Sequence, residues 1–113
     1  MGITMKPFSP FSVAIATVVF HDKSGAKRRP VLLLRAQGNL VFAFSITSQY
    51  AKKSKYIQAR YYEIIDWLEA GLKKPSWIDT ITRIKLDSQF DGVKVIGQLT
   101  RRDREQLLKF LNS

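Results

Sequence analysis

Cysteine is absent from this 113-residue chain, which excludes disulfides, thiolate metal sites and cysteine nucleophiles together. Histidine occurs once, at His21, so no zinc or haem site can be assembled from imidazoles and thiolates. The glycine patterns that cradle phosphates, G-x-G-x-x-G and the P-loop, are missing, and so is the G-x-S-x-G nucleophile elbow. No tight cluster of acids suggests a magnesium site. No cofactor is therefore expected. Long apolar runs are also lacking: the longest, Phe11 to Phe20, is about half of a bilayer span. His21-Asp22-Lys23 follows it directly, where a signal peptide would carry small residues for cleavage. The expectation is a cytoplasmic protein with no membrane association.

The most informative scarcity is of acids in the first half. Residues 1–60 hold ten Lys and Arg against one acid, Asp22, whereas residues 61–113 hold nine against eight. Of the formal net charge of +10, nearly all therefore belongs to the first half. A surface of one sign attracts polyanions, with mere solubility as the plainer explanation, and the balanced second half reads as scaffold. A hydrophobic fraction of 45% argues for a folded core rather than disorder. The length suits one domain, 1–113, with 1–10 as an extended lead-in carrying Pro7 and Pro10.

Along the chain, Ser12 to Phe20 is rich in β-branched residues and predicts a strand. His21 to Arg29 reads as a polar loop. Pro30 then opens the unalternated run Val31-Leu32-Leu33-Leu34, a strand buried on both faces. Gly38-Asn39 between two apolar runs predicts a tight hairpin joining Val31–Gln37 to Leu40–Ser45. Residues 46–60 read as a basic, aromatic loop. Tyr61 to Leu72 fits a helix by spacing or a strand by local pattern, and Pro75 ends either. Trp77–Leu86 and Gly92–Ile96 are further strands. Thr100 with Asp103 three residues on predicts the N-terminus of a last helix, with Leu107, Leu108 and Leu111 as its apolar stripe. The fold class expected is mainly β with helices (α+β): a small, mostly antiparallel barrel with a C-terminal helix.

Candidate chemistry gathers at one end of the hairpin. Pairing outward from Gly38-Asn39 sets Pro30 opposite Thr47 and Arg29 opposite Ser48. A guanidinium beside two hydroxyls is a phosphate-binding arrangement; the plainer alternative is a surface arginine beside an ordinary turn. With RNA as substrate, metal-free phosphodiester chemistry is feasible, because the 2′-OH is the nucleophile and the protein need only orient it, take its proton and stabilise charge on phosphorus. His21 has a pKa range suited to proton transfer at neutral pH. Lys27, Arg28, Lys52, Lys53 and Lys55 are candidates to track the RNA backbone, and Tyr50 and Tyr56 to stack bases.

These residues also carry a family resemblance. Val18-Val19-Phe20, Lys27-Arg28-Arg29-Pro30-Val31-Leu32-Leu33-Leu34 and Ile46-Thr47-Ser48 resemble the PemK/MazF-like toxins of bacterial type II toxin–antitoxin systems. Ala70-Gly71-Leu72-Lys73-Lys74-Pro75-Ser76-Trp77 and Ile96-Gly97-Gln98-Leu99-Thr100 resemble later segments of that family, and the likeness runs in order over residues 11–112. It implies an SH3-like barrel, usually a homodimer, that acts as an mRNA interferase: it cuts single-stranded RNA without metal and leaves a 2′,3′-cyclic phosphate and a 5′-hydroxyl. By the resemblance, Arg29 stabilises the phosphorane and protonates the leaving oxygen, Thr47 binds the scissile phosphate or positions the 2′-OH, and Ser48 is the neighbouring hydroxyl. The implied partner is an antitoxin with an acidic tail that wraps the basic surface. Exposed aromatics such as Trp67 and Trp77 would serve a dimer. The match departs in its short loop before Arg29, where the one acid is Asp22, and in the lack of a secure counterpart for the later acid or arginine, for which Asp79 and Arg83 lie in the right region. A catalytic His21 is not part of the family pattern. Two non-catalytic alternatives remain from the sequence: a CcdB-like, gyrase- or nucleic-acid-binding module, and a DNA-compacting barrel.

Overall fold

The computed structural model describes residues 9–19, 25–89 and 91–113. Its strands are β1 (Ser12–Val19), β2 (Ala26–Gln37), β3 (Leu40–Thr47), β4 (Tyr61–Glu63), β5 (Trp77–Asp87) and β6 (Lys94–Gln98). Between β3 and β4 lie a 3-10 turn, Tyr50–Lys52, and the short helix α1 (Lys55–Gln58); the long helix α2 (Arg101–Leu111) follows β6. The result is an antiparallel sheet of six strands, ordered β4-β5-β3-β2-β1-β6, with a C-terminal helix. Among the described residues no ladder joins β4 to β6, so the sheet is not closed into a barrel. None of their helices is long and apolar enough to cross a membrane.

β1 forms where its β-branched run predicts. The Gly38-Asn39 hairpin forms too, with Gly38 at φ +60 and Gln37 paired to Leu40. Two local expectations are corrected. Lys27, Arg28 and Arg29 lie inside β2, not in a loop, because β1 continues past them and pairs Ala16 with Arg29 and Thr17 with Arg28. The β2–β3 register also shifts by one between Leu33 and Arg35, so that Val31 faces Ser45. A bulge of this kind adds a residue to one strand and increases the local twist. Continued toward the open end, the shifted ladder sets Arg29 level with Thr47 rather than Ser48.

Both faces of the sheet are buried. Val13, Leu32, Phe44 and Ile46 point to one face, where Ile64, Ala70, Leu72, Leu99 and Leu107 cover them. Their alternates Ala14, Ala16, Val18, Val31, Leu33, Val41 and Ala43 form a second cluster with Leu86. Small alanines let the sheet curl over this cluster. The β5–β6 connection crosses its end, where Val93 packs and the Asp91 carbonyl accepts the Thr17 amide at 2.9 Å. Burying Val31, Leu32 and Leu33 to 1% exposure or less accounts for the unalternated apolar run.

The second half departs further from local pattern. Tyr61–Glu63 is a strand, and residues 65–71 are a succession of turns, neither the helix nor the continued strand. The cause is long-range. Asp103, fully buried on α2, accepts hydrogen bonds from the Tyr62 hydroxyl (2.6 Å) and from the backbone amides of Ile65 (2.9 Å) and Asp66 (2.8 Å). A buried carboxylate that satisfies three donors fixes a non-helical path for them. Asp66 in turn accepts from Thr100 at 2.6 Å and pairs with Arg102, whose hydrogen bond is the main reason the Asp66 carboxyl sits below its ordinary range. Thr100 caps α2 as its position predicts, accepting from the Asp103 amide at 3.3 Å. The expected apolar stripe is corrected: Leu107 is buried, but Leu108 and Leu111 are 46% and 42% exposed, and the inward face is Asp103, Leu107 and Phe110. Truncating Leu107 to alanine would cost ~2–5 kcal/mol.

Candidate nucleic-acid cleft

The open end of the β2–β3 hairpin forms one wall of a cleft of about 630 Å³. Arg28, Arg29 and Pro30 from β2 line it, with Ile46, Thr47, Ser48 and Gln49 from the end of β3. Ile15 of β1 is the central rank of its floor: Ile15 pairs with Pro30 on one side and with Lys94 of β6 on the other. The facing wall is the segment Gly71, Leu72, Lys73, Lys74 and Ser76, and Ile96 of β6 lies beneath it.

The facing wall is rigidly held. The Ile64 amide donates to the Ser76 carbonyl (3.1 Å), the Leu72 amide to Trp67 (3.0 Å), and the Ser76 hydroxyl to the Lys74 carbonyl (2.9 Å). Leu72 and Ser76 are buried and act as pegs, while Lys73 and Lys74 between them are exposed. Asp103 anchors the start of the same run of turns, so a buried carboxylate on α2 ultimately sets where these two lysines stand.

Among the described residues five cations line the cleft, Arg28, Arg29, Lys73, Lys74 and Lys94, and no carboxylate does. Low-dielectric walls of one sign focus the field on an anion that enters. Thr47 is poised to donate into this space: its Oγ1 already accepts the Gln49 amide at 3.0 Å, which leaves the hydroxyl proton for another acceptor. Arg28 has a double position. It lines the cleft, and its Nη1 donates to the carbonyls of Gly92 (2.8 Å) and Asp91 (3.2 Å) and to Thr17 Oγ1 (3.3 Å). It thus ties the β5–β6 crossing to β2 and steadies the approach to Lys94.

In comparisons with known proteins, no family model and no curated sequence matches the chain.

The structure brings Arg29, Thr47, Ser48 and Arg28 together, and leaves the other expected residues around or beyond the cleft. Lys27 is exposed one step further along β2, opposite Val18. Lys52, Lys53 and Lys55 are exposed on the 3-10 turn and the start of α1 and do not line the cleft. Tyr50 lies against Trp77, ring centroids 4.7 Å apart and interplanar angle 11°, so one of its faces is already stacked. Tyr56 is 73% exposed, with the Arg60 guanidinium 5.7 Å from its ring centre. His21 lies outside the described residues. Asp79 accepts the Ile81 amide and faces Tyr61, whose hydroxyl pKa is raised first by burial and then by that carboxylate. Arg83 borders a separate groove with Phe11, Leu34 and Leu111. Neither Asp79 nor Arg83 is a lining residue of the cleft.

Sequence reasoning missed Lys73, Lys74, Ser76 and Lys94. The second half is balanced in charge along the chain but not in space: its lysines at 73, 74 and 94 turn toward the cleft, so it is more than scaffold. The run Gly71-Leu72-Lys73-Lys74-Pro75-Ser76 was the available signal, as two adjacent lysines held between a glycine and a proline.

Proposed function

We propose that this chain is a metal-independent, sequence-selective endoribonuclease of the PemK/MazF-like toxin kind, acting on single-stranded RNA. The observation that carries the reading is the convergence of Arg29, Thr47 and Ser48 on one cleft that Arg28, Lys73, Lys74 and Lys94 also line. An RNA phosphodiester seated there would meet the guanidinium of Arg29 and the free hydroxyl proton of Thr47. The 2′-oxygen attacks phosphorus, the bond to the 5′-oxygen breaks, and the products are a 2′,3′-cyclic phosphate and a 5′-hydroxyl. One proton leaves the 2′-OH for a base, for which the sequence offers His21, and one is returned to the departing 5′-oxygen. Arg29 offsets the charge that builds on the phosphorane.

The same reading takes the curled sheet, with its second face buried on itself, as an SH3-like barrel left open between β4 and β6. It carries with it a cytoplasmic location, a homodimer, and an antitoxin whose acidic tail would occupy the same five cations.

The test is cleavage of a fluorophore–quencher single-stranded RNA in EDTA by the wild-type protein and by Arg29→Ala, with the product termini identified. Cyclic phosphate product from wild type, and a ~10²–10³-fold loss in the variant at unchanged melting temperature, is the expected result. Equal rates in both remove Arg29 from the mechanism. An intact RNA that nonetheless binds in the cleft favours the non-catalytic binding module.

A further inference from the structure

We infer that Lys73, Lys74 and Lys94 form a second phosphate site, which holds the phosphodiester next to the one cut at Arg29, so that RNA is gripped across the cleft between two charged walls. This rests on the cleft being the RNA-cutting site, and it extends that reading to residues outside the Arg29, Thr47 and Ser48 group.

Three observations carry it. The first is separation. Pro30, Ile15 and Lys94 stand in one rank over three adjacent strands, β2, β1 and β6. At the usual strand spacing, the backbones of Pro30 and Lys94 are about 10 Å apart. That leaves room for two phosphates of one strand, one on the Arg29 side and its neighbour on the Lys94 side. The second is the floor. Between the two walls lie Ile15 and Ile96, with Pro30 at the edge of the hairpin wall and Ile46 and Leu72 buried behind, an apolar floor that suits the face of a base or ribose. The third is rigidity. A Cβ on Gly71 would come within 2.5 Å of the Ile96 carbonyl oxygen, so the lysine-bearing wall is pressed directly on β6. The backbone that carries Lys73, Lys74 and Lys94 is thereby fixed on one side of the cleft, which leaves only side-chain freedom to be lost when they bind an anion. The substrate class that follows is an oligoribonucleotide with at least two consecutive phosphates.

Three ribonucleotide substrates of one base sequence test this: a dinucleoside monophosphate, the same with a 3′-terminal phosphate, and the same with a 5′-terminal phosphate. Each is given to wild type and to the triple variant Lys73→Gln, Lys74→Gln, Lys94→Gln, whose exposed positions leave the melting temperature unchanged. The expected result is a KM about tenfold lower for one of the two phosphorylated substrates with wild type, an advantage lost in the variant. The end that carries the advantage gives the polarity of the bound strand. Equal KM values for all three substrates with wild type overturn the proposal, and so does an advantage that survives in the variant. Binding of the three substrates' 2′-deoxy analogues is measured in parallel by fluorescence anisotropy. If the longer fluorophore–quencher RNA is also left intact, the endoribonuclease reading fails, while the same comparison of affinities still decides the second phosphate site.

Discussion

Gly97 crosses Ala70 with no room for a side chain between them: a Cβ on Gly97 would overlap the Ala70 carbonyl oxygen. This one approach locks β6 to the turns that carry Lys73 and Lys74. Gly97→Ala must therefore either push the two segments apart or shift the register of β6 against β1. The expected cost is ~1–3 kcal/mol, typical of overpacking a close contact. A thermal melt should fall by roughly 5–15 °C for a domain of this size. RNA affinity should fall as well, because the cleft's facing wall moves. A melt unchanged from wild type would show that the approach is not tight.

Tyr62 gives the fold a signature at alkaline pH. Its hydroxyl pKa lies above the ordinary value of 10.0, first because the ring is buried and second because the hydroxyl donates to the Asp103 carboxylate. A group whose pKa is raised by folding contributes stability that is present below its unfolded value and is lost as pH rises through its folded one. Tyr62→Phe should cost ~1.5–3 kcal/mol at neutral pH, the worth of a hydrogen bond to a charged acceptor. That difference between wild type and variant should hold constant up to about pH 10 and shrink above it. Urea unfolding of both proteins across the range measures it; a difference that grows with pH has the wrong sign.

Thr47 separates structure from chemistry. Its Oγ1 accepts the Gln49 amide, and the residue lines the cleft with its hydroxyl still able to donate. Thr47→Ser keeps both functions and should retain most of the activity. Thr47→Val removes both and should lower kcat by about 10²-fold, the scale of one lost transition-state donor. Equal losses in the two variants would point to the methyl group and its packing instead.

The lysines divide into two groups that salt can tell apart. Neutralising Lys73, Lys74 and Lys94, which together hold one phosphate, should flatten the dependence of log K on log salt by one contact, ~0.7 for a single strand. Neutralising Lys52, Lys53 and Lys55, which stand outside the cleft, should change the slope by less than one such contact. A reversed ranking would move the RNA path from the cleft to the 3-10 turn and α1.

What the sequence made legible is what neighbouring residues decide among themselves. The β1 strand follows from its β-branched run, the hairpin from Gly38-Asn39, and the cap of α2 from Thr100. What it hid depends on distant partners. No local signal in Leu34 announces the bulge that moves Arg29 from Ser48 to Thr47, since the pairing of β2 with β1 and β3 together produces it. The spacing of Tyr61, Ile64, Leu68 and Leu72 suits a helix, but Asp103, nearly forty positions away from the amides of Ile65 and Asp66, takes those donors for itself. The cleft was half legible for the same reason. Arg29 and Thr47 are joined by a hairpin that can be counted along, while Lys94 reaches them through β1 alone.

That last link orders events in time. Among the described residues β1 is the first strand and β6 the last, yet they are neighbours, with Val13 opposite Gly97. Contacts of such high sequence separation form slowly, because a long loop must close before they bring any gain. On a ribosome, β1 through β3 emerge early and can pair, but the floor of the cleft lacks its third strand, and the lysine wall has nothing to press against, until β6 has left the exit tunnel. The anion site is thus a property of the finished molecule: a nascent chain carries the hairpin with Arg29 and Thr47 long before it has a place to hold a strand of RNA.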